Sequence, residues 1–135
     1  MPMTVKIAVR GNVLNVFVSG DFVLEEAKHT FLEVAEAVAE NKSEKVLFDG
    51  RSIRGNPSVI ERFYYGEFTA DSLRGSQAIA SLPRFAYILH EPVLDPLRLG
   101  ETVATNRGMN VRAFDNREEA IQWLGVTSEE VVDFG

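Results

Sequence analysis

The chain contains no cysteine, which excludes disulfide frameworks, thiolate metal sites and a cysteine nucleophile together. Histidine is nearly as scarce, with 2 residues in 135, and neither an HxH nor an HExxH spacing accompanies them, so metal-assisted catalysis is not indicated. Basic residues are outnumbered, 14 against 20 acidic, and the net charge of -6 disfavours nucleic acid and anionic membranes as partners. No uncharged apolar run approaches the roughly 20 residues that a membrane-spanning helix needs. The opening Met1-Pro-Met-Thr-Val-Lys-Ile lacks the basic start and apolar centre of a secretory signal. A cytoplasmic protein is therefore expected. The Gly-Lys-Ser/Thr ending of a P-loop and the Gly-x-Ser-x-Gly elbow of a serine hydrolase are also missing. No cofactor is implied.

What remains is an ordinary globular composition, 45% hydrophobic over 135 residues, enough for one core and too little for two. A single domain over residues 1–135 is expected. Val5 to Val9 and Val13 to Val18 are short β-branched runs around Arg10-Gly11-Asn12 and read as a hairpin. The second run is apolar without a break at Val16-Phe17-Val18, as in a strand covered on both faces. Leu24, Ala27, Phe31, Val34, Ala35 and Val38 repeat at helical spacing opposite Glu25, Glu33, Glu36 and Glu40, an acidic and solvated helix face. Asn41 to Glu44 returns the chain to an apolar strand at Val46-Leu47-Phe48, which makes a βαβ unit with a right-handed crossover.

Asp49 to Asn56 then reads as a charged loop, and Pro57-Ser58 with Glu61 as the start of a second helix continuing to about Ser81. Phe85 to Leu89 is the next strand. Asp95-Pro96 predicts a third helix from Pro96 to Arg107, stopped by Gly108. Val111 to Phe114 forms the last strand, and Asp115-Asn-Arg-Glu118 has the spacing of a capping box for a final helix ending at Gly125. The acidic tail carries Val131, Val132 and Phe134, which can dock on the body. The order ββαβαβαβα predicts an α/β fold: a mostly parallel five-stranded sheet with an antiparallel N-terminal hairpin strand and helices packed on it.

This order resembles the STAS superfamily, and in particular its SpoIIAA-like branch related to SEC14-type lipid-binding folds. The resemblance runs from about Val5 to Gly125. It is carried by the Val46-Leu-Phe-Asp49 strand end and by the closing segment Val111-Arg-Ala-Phe-Asp-Asn-Arg-Glu-Glu-Ala-Ile-Gln-Trp-Leu-Gly125. Regulatory STAS domains follow their third strand with Asp, two hydroxyl residues and a small residue, one hydroxyl being phosphorylated by a partner kinase. Asp49 matches that pattern, Gly50 and Arg51 stand where the hydroxyls would be, and Ser52 is the nearest hydroxyl.

The residues offer several sites. Arg51 and Arg54 around Asn56 at a helix start could hold a phosphate or carboxylate, or Asp49 could pair with an arginine and order the loop. Parallel strands would bring His90 and Glu91 beside that loop, as a base with its orienting carboxylate or as structural residues, while His29 lies on the first helix, away from this edge. Ser52, His90 and Asp49 make a triad on paper only. Phe63, Tyr64, Tyr65 and Phe68 crowd aromatic surface onto the second helix, as core, as a small apolar or lipid pocket, or as a homodimer seam. The expected role is a noncatalytic regulatory or interaction domain, binding a protein partner or small ligand through the Asp49 to Asn56 and His90 to Asp95 loops. The alternatives are a carrier of a lipid or small apolar molecule, as the SEC14 relationship implies, and a hydrolase built on His90.

Overall fold

The computed structural model describes residues 1–76 and 82–134. Its strands are β1 (Thr4–Arg10), β2 (Val13–Asp21), β3 (Lys45–Arg54), β4 (Arg84–Ile88) and β5 (Asn110–Phe114). The helices are α1 (Leu24–Asn41), α2 (Val59–Arg74), α3 (Leu99–Asn106) and α4 (Arg117–Leu124). The strands form one five-stranded sheet in the order β1-β2-β3-β4-β5. β1 runs antiparallel to β2, and the remaining pairs are parallel. This is the architecture expected from the sequence. Among the described residues no helix is long and apolar enough to cross a membrane.

Alternation along β2 explains its unbroken apolarity. Leu14, Val16 and Val18 face a core built with Phe31, Val34 and Val38 of α1, Ala70 and Leu73 of α2, and Ala104 of α3. Val13 faces the other way, with Leu47, Ala86 and Ile88, into a smaller core closed by Ala120 and Leu124 of α4. Successive side chains of a strand point to opposite faces, so a strand covered on both sides has no polar position to spare.

The exception is Asn15, buried on the α4 side of β2. Its amide nitrogen donates to the Glu130 carbonyl at 2.9 Å, and its amide oxygen accepts from the Val132 N–H at 3.0 Å. One side chain thus satisfies the tail's backbone, and the tail covers the part of the sheet that α4 does not reach. Phe134 stacks on Phe17, with ring centroids 5.8 Å apart, and Val131 packs on the smaller core. The tail docks as expected.

Several boundaries differ from the sequence reading, β2 among them, which runs to Asp21 beyond the expected Val18. β3 continues through Arg54, so Asp49 to Arg54 is strand rather than loop. Its register against β2 shifts between Phe17 and Ser19 and then resumes as Ser19↔Ser52, Gly20↔Ile53 and Asp21↔Arg54. α3 begins at Leu99 instead of Pro96, because Arg98 takes a left-handed conformation at φ 56°. Asp95 still caps, but it caps a turn: its carboxylate accepts from the N–H groups of Leu97 and Leu99. The cap of α4 is Asn116, which accepts from the Glu119 N–H, one residue beyond the expected Asp115. Ser58 and Glu61 form the reciprocal capping box of α2. The expected continuation of α2 to Ser81 lies outside the described residues.

Candidate functional site

Two features meet at the carboxyl end of the sheet, where ligands of open α/β folds are usually held. The first is the overhang of β3. β4 pairs with β3 only as far as Ile88↔Asp49, while β3 runs on to Arg54 against β2 alone. Arg51, Ser52 and Arg54 on this overhang are exposed, and so are His90 and Glu91 just beyond the end of β4.

The charges on the overhang are already matched. The Arg51 guanidinium grips Asp49 with two hydrogen bonds, Nε to Oδ1 at 3.0 Å and Nη2 to Oδ2 at 2.8 Å, and the Arg51 backbone N–H adds a third at 3.1 Å. Arg54 pairs with Asp21 at 3.3 Å. The Asn56 side chain accepts from Arg62 instead of joining the other arginines. The three residues expected to cradle an anion therefore hold three different partners, and the structural alternative, an Asp49–Arg51 link, is what forms.

Burial pushes the Asp49 carboxyl upward, but the Arg51 hydrogen bonds and the charges of Arg51 and Arg117 outweigh it and hold it below the ordinary carboxylate value. The same bond raises Arg51. A carboxyl depressed in the folded state contributes stability that is complete above its unfolded value near 4 and is lost as pH falls through the folded value. Asp49→Asn should consequently flatten the acid limb of the stability curve below about pH 4. Urea unfolding at a series of pH values measures this. An acid limb identical to that of the unaltered protein would mean the link contributes nothing.

No hydrogen bond joins Ser52 to His90 among the described residues, and both Asp49 oxygens are occupied by Arg51. The elements of a triad are thus not assembled. Nor does any group of three or more His, Asp and Glu among the described residues have the geometry to hold a metal ion.

The second feature is a cavity of about 130 Å³ between the sheet and helices α1, α2 and α3, with a predominantly apolar lining. Phe48 and Ile53 of β3, Tyr87 of β4, Tyr65 of α2 and Leu94 contribute to its wall. Gly50 leaves room for two of the cavity's lining residues to pack over β3: a Cβ there would stand 2.7 Å from Leu89 Cδ2 and 3.0 Å from Ile53 Cδ1. Gly66 and Gly100 bring α2 and α3 together at its side, since a Cβ on Gly66 would stand 2.6 Å from the Gly100 carbonyl oxygen.

The aromatic residues of α2 divide between this cavity and the surface. Tyr65 points inward and its hydroxyl meets that of Tyr87 at 2.9 Å. Burial drives the Tyr65 phenol up to about 12, against the lowering effect of that hydrogen bond. Tyr87 is also held well above its ordinary value, chiefly by burial. Tyr64 is 45% exposed and packs edge-on with Phe63. Phe68 is half-buried against the larger core, under the Lys28 ammonium. The four rings do not make one surface. Tyr87 and the Gly66–Gly100 crossing escaped sequence reasoning, because the first depends on how α2 lies over β4 and the second on how α2 meets α3.

No family model matches the chain, and no curated protein matches it in sequence. Among solved structures it is similar to an anti-sigma factor antagonist from Mycobacterium paratuberculosis, with a TM-score of 0.59 at 14% identity, over 92% of this chain and 95% of that one. The likeness shows the fold: the five-stranded α/β arrangement of this chain, with its antiparallel first strand, is shared with that structure.

Proposed function

We propose that this chain is a cytoplasmic, noncatalytic regulatory domain of the STAS type that binds a protein partner through the β3 overhang and the neighbouring His90–Glu91 turn. The solved neighbour is described as an antagonist of an anti-sigma factor, and a partner of that regulatory kind suits the shared fold. The observation that carries the reading is the overhang itself, exposed Arg51, Ser52 and Arg54 on a strand that outruns β4. Asp49 grips Arg51 through two hydrogen bonds, so the outer N–H groups of Arg51 are presented in a defined orientation, with Arg54 paired to Asp21 beside it. Preorganised donors lose less freedom on binding than free side chains do.

Native mass spectrometry of the protein, gently purified from its own host, tests the reading. A retained protein partner is expected, and Arg51→Ala with Arg54→Ala should lower its affinity about tenfold, the equivalent of about 1.4 kcal/mol. Thermal unfolding checks that the double variant is folded. Capture that is unchanged by the folded variant counts against this surface.

A second reading is favoured by the cavity: carriage of a small apolar molecule. Pockets for drug-sized ligands span about 300–1,000 Å³, and the 130 Å³ seen here is well short of that. The size supports a compact molecule over a lipid with full-length acyl chains. Self-association remains a further use of the exposed Phe63 and Tyr64 pair, and the same mass spectrum reads it.

A further inference from the structure

We propose that the cavity between the sheet and helices α1 to α3 binds a compact, uncharged molecule about the size of a benzene ring that carries one hydrogen-bond acceptor, received by the Tyr65–Tyr87 hydroxyl pair. The inference rests on the second reading above and gives the carried molecule a size and a chemistry.

Size comes first. An apolar cavity of about 150 Å³ stays dry and accepts benzene, and the cavity here, at about 130 Å³, is of that order. Charge is excluded next. Arg62 at its margin is engaged by the carbonyls of Pro57, Pro92 and Val93, and Asp95 by the N–H groups of Leu97 and Leu99. An ionised ligand would lose its water without gaining a free counter-charge from either residue.

Arg98 and Glu101, which also line the cavity, pair with each other at 3.3 Å and hold the Ala113 carbonyl and N–H respectively, so they offer no free counter-charge either; the remaining side-chain polar groups are hydroxyls. Those of Thr30 and Thr69 donate into their own helices, to the Ala27 and Gly66 carbonyls. The two phenols differ. Each carries one hydrogen, and a single hydrogen bond between them uses only one. Whichever phenol accepts, its own hydrogen has no acceptor among the described residues. A donor without a protein partner facing a predominantly apolar pocket is under-satisfied, so an acceptor on the ligand is preferred at that point.

Benzene and pyridine form a matched pair of probes, alike in shape and different by one acceptor, and both are uncharged at pH 8. Titration of the full chain with each, followed by amide chemical shifts, should place both probes at Tyr65, Tyr87 and Leu94. Ala104→Leu, which fills the cavity, should abolish both. Tyr65→Phe alone should leave pyridine binding nearly intact, because the hydrogen of Tyr87 is then free to donate. Tyr65→Phe with Tyr87→Phe should weaken pyridine about fivefold relative to benzene.

If the double variant does not fold, the phenolic hydroxyl proton of the unaltered protein gives the same answer: pyridine should move it downfield and benzene should not. Binding of neither probe, or binding that survives Ala104→Leu, overturns the carrier reading together with this inference. Benzene binding with pyridine indifferent to the phenols overturns this inference alone and leaves the carrier reading standing.

Discussion

Phe31→Ala will cost about 3–5 kcal/mol of folding stability, the range for a large aromatic deleted from a closed core. Phe31 is fully buried in the larger core, where α1 crosses the sheet. Its ring lies 5.8 Å from that of Phe85 and edge-on to Tyr65 at 6.3 Å, so it joins α1 to β4 and to α2 at one point. Alanine removes the apolar burial and leaves a hole that strands cannot close by shifting, because their spacing is fixed by hydrogen bonds to neighbours. Urea unfolding with an unchanged m-value measures the loss directly. A cost below about 2 kcal/mol would mean that α1 and α2 collapse into the space, and the core would then be softer than its packing implies.

Gly66→Val will destabilise by about 3 kcal/mol, at the upper end of the range for overpacking. Helix propensity argues the other way, since glycine within a helix is disfavoured by up to about 1 kcal/mol. Geometry decides the sign. The new Cβ would stand 2.6 Å from the Gly100 carbonyl oxygen, and that obstacle is backbone, which cannot rotate aside as a side-chain tip can. The relief available is to move α3 away from α2, which breaches the cavity wall between them. A lowered midpoint in urea together with lost benzene binding is the expected pair of results. A variant as stable as the unaltered protein would show that the two helices slide apart freely.

The sequence announces the sheet and the long helix because both are written in periodicity. Leu24 to Val38 repeats at helical spacing and α1 follows it to Asn41, while unbroken apolar runs mark the strands buried on two faces. The overhang of β3 was hidden for the opposite reason. Beyond Asp49 the strand has β2 on one side only and exposed residues at Arg51, Ser52 and Arg54, so no apolar pattern was required of it. The left-handed turn at Arg98 was equally silent, since arginine carries no signal for that conformation and Asp95-Pro96 is a credible helix start by itself.

The pairing of arginines with aspartates at the site was legible as one of two alternatives, because the residue types permitted both and only distances choose. Tyr65 could be named from the crowding of aromatics on α2, but its contact with Tyr87 depends on which face α2 presents to β4, a property of the assembled layers. Asn15 was the overlooked clue. A lone amide between Leu14 and Val16 in a buried strand needs a polar partner, and the chain supplies it from 115 residues away.

That distance orders events in time. A chain emerging from the ribosome can pair β1 with β2 and dock α1 early, since those contacts are close in sequence. The face of the hairpin that holds Asn15 and Phe17 must wait until residues 127–134 have been made before it is sealed. Until then a half-finished molecule shows the cell a polar hook set in apolar surface, the kind of patch to which chaperones attach and at which nascent chains adhere to one another. The docking of residues 127–134 is thus also the step that ends this exposure.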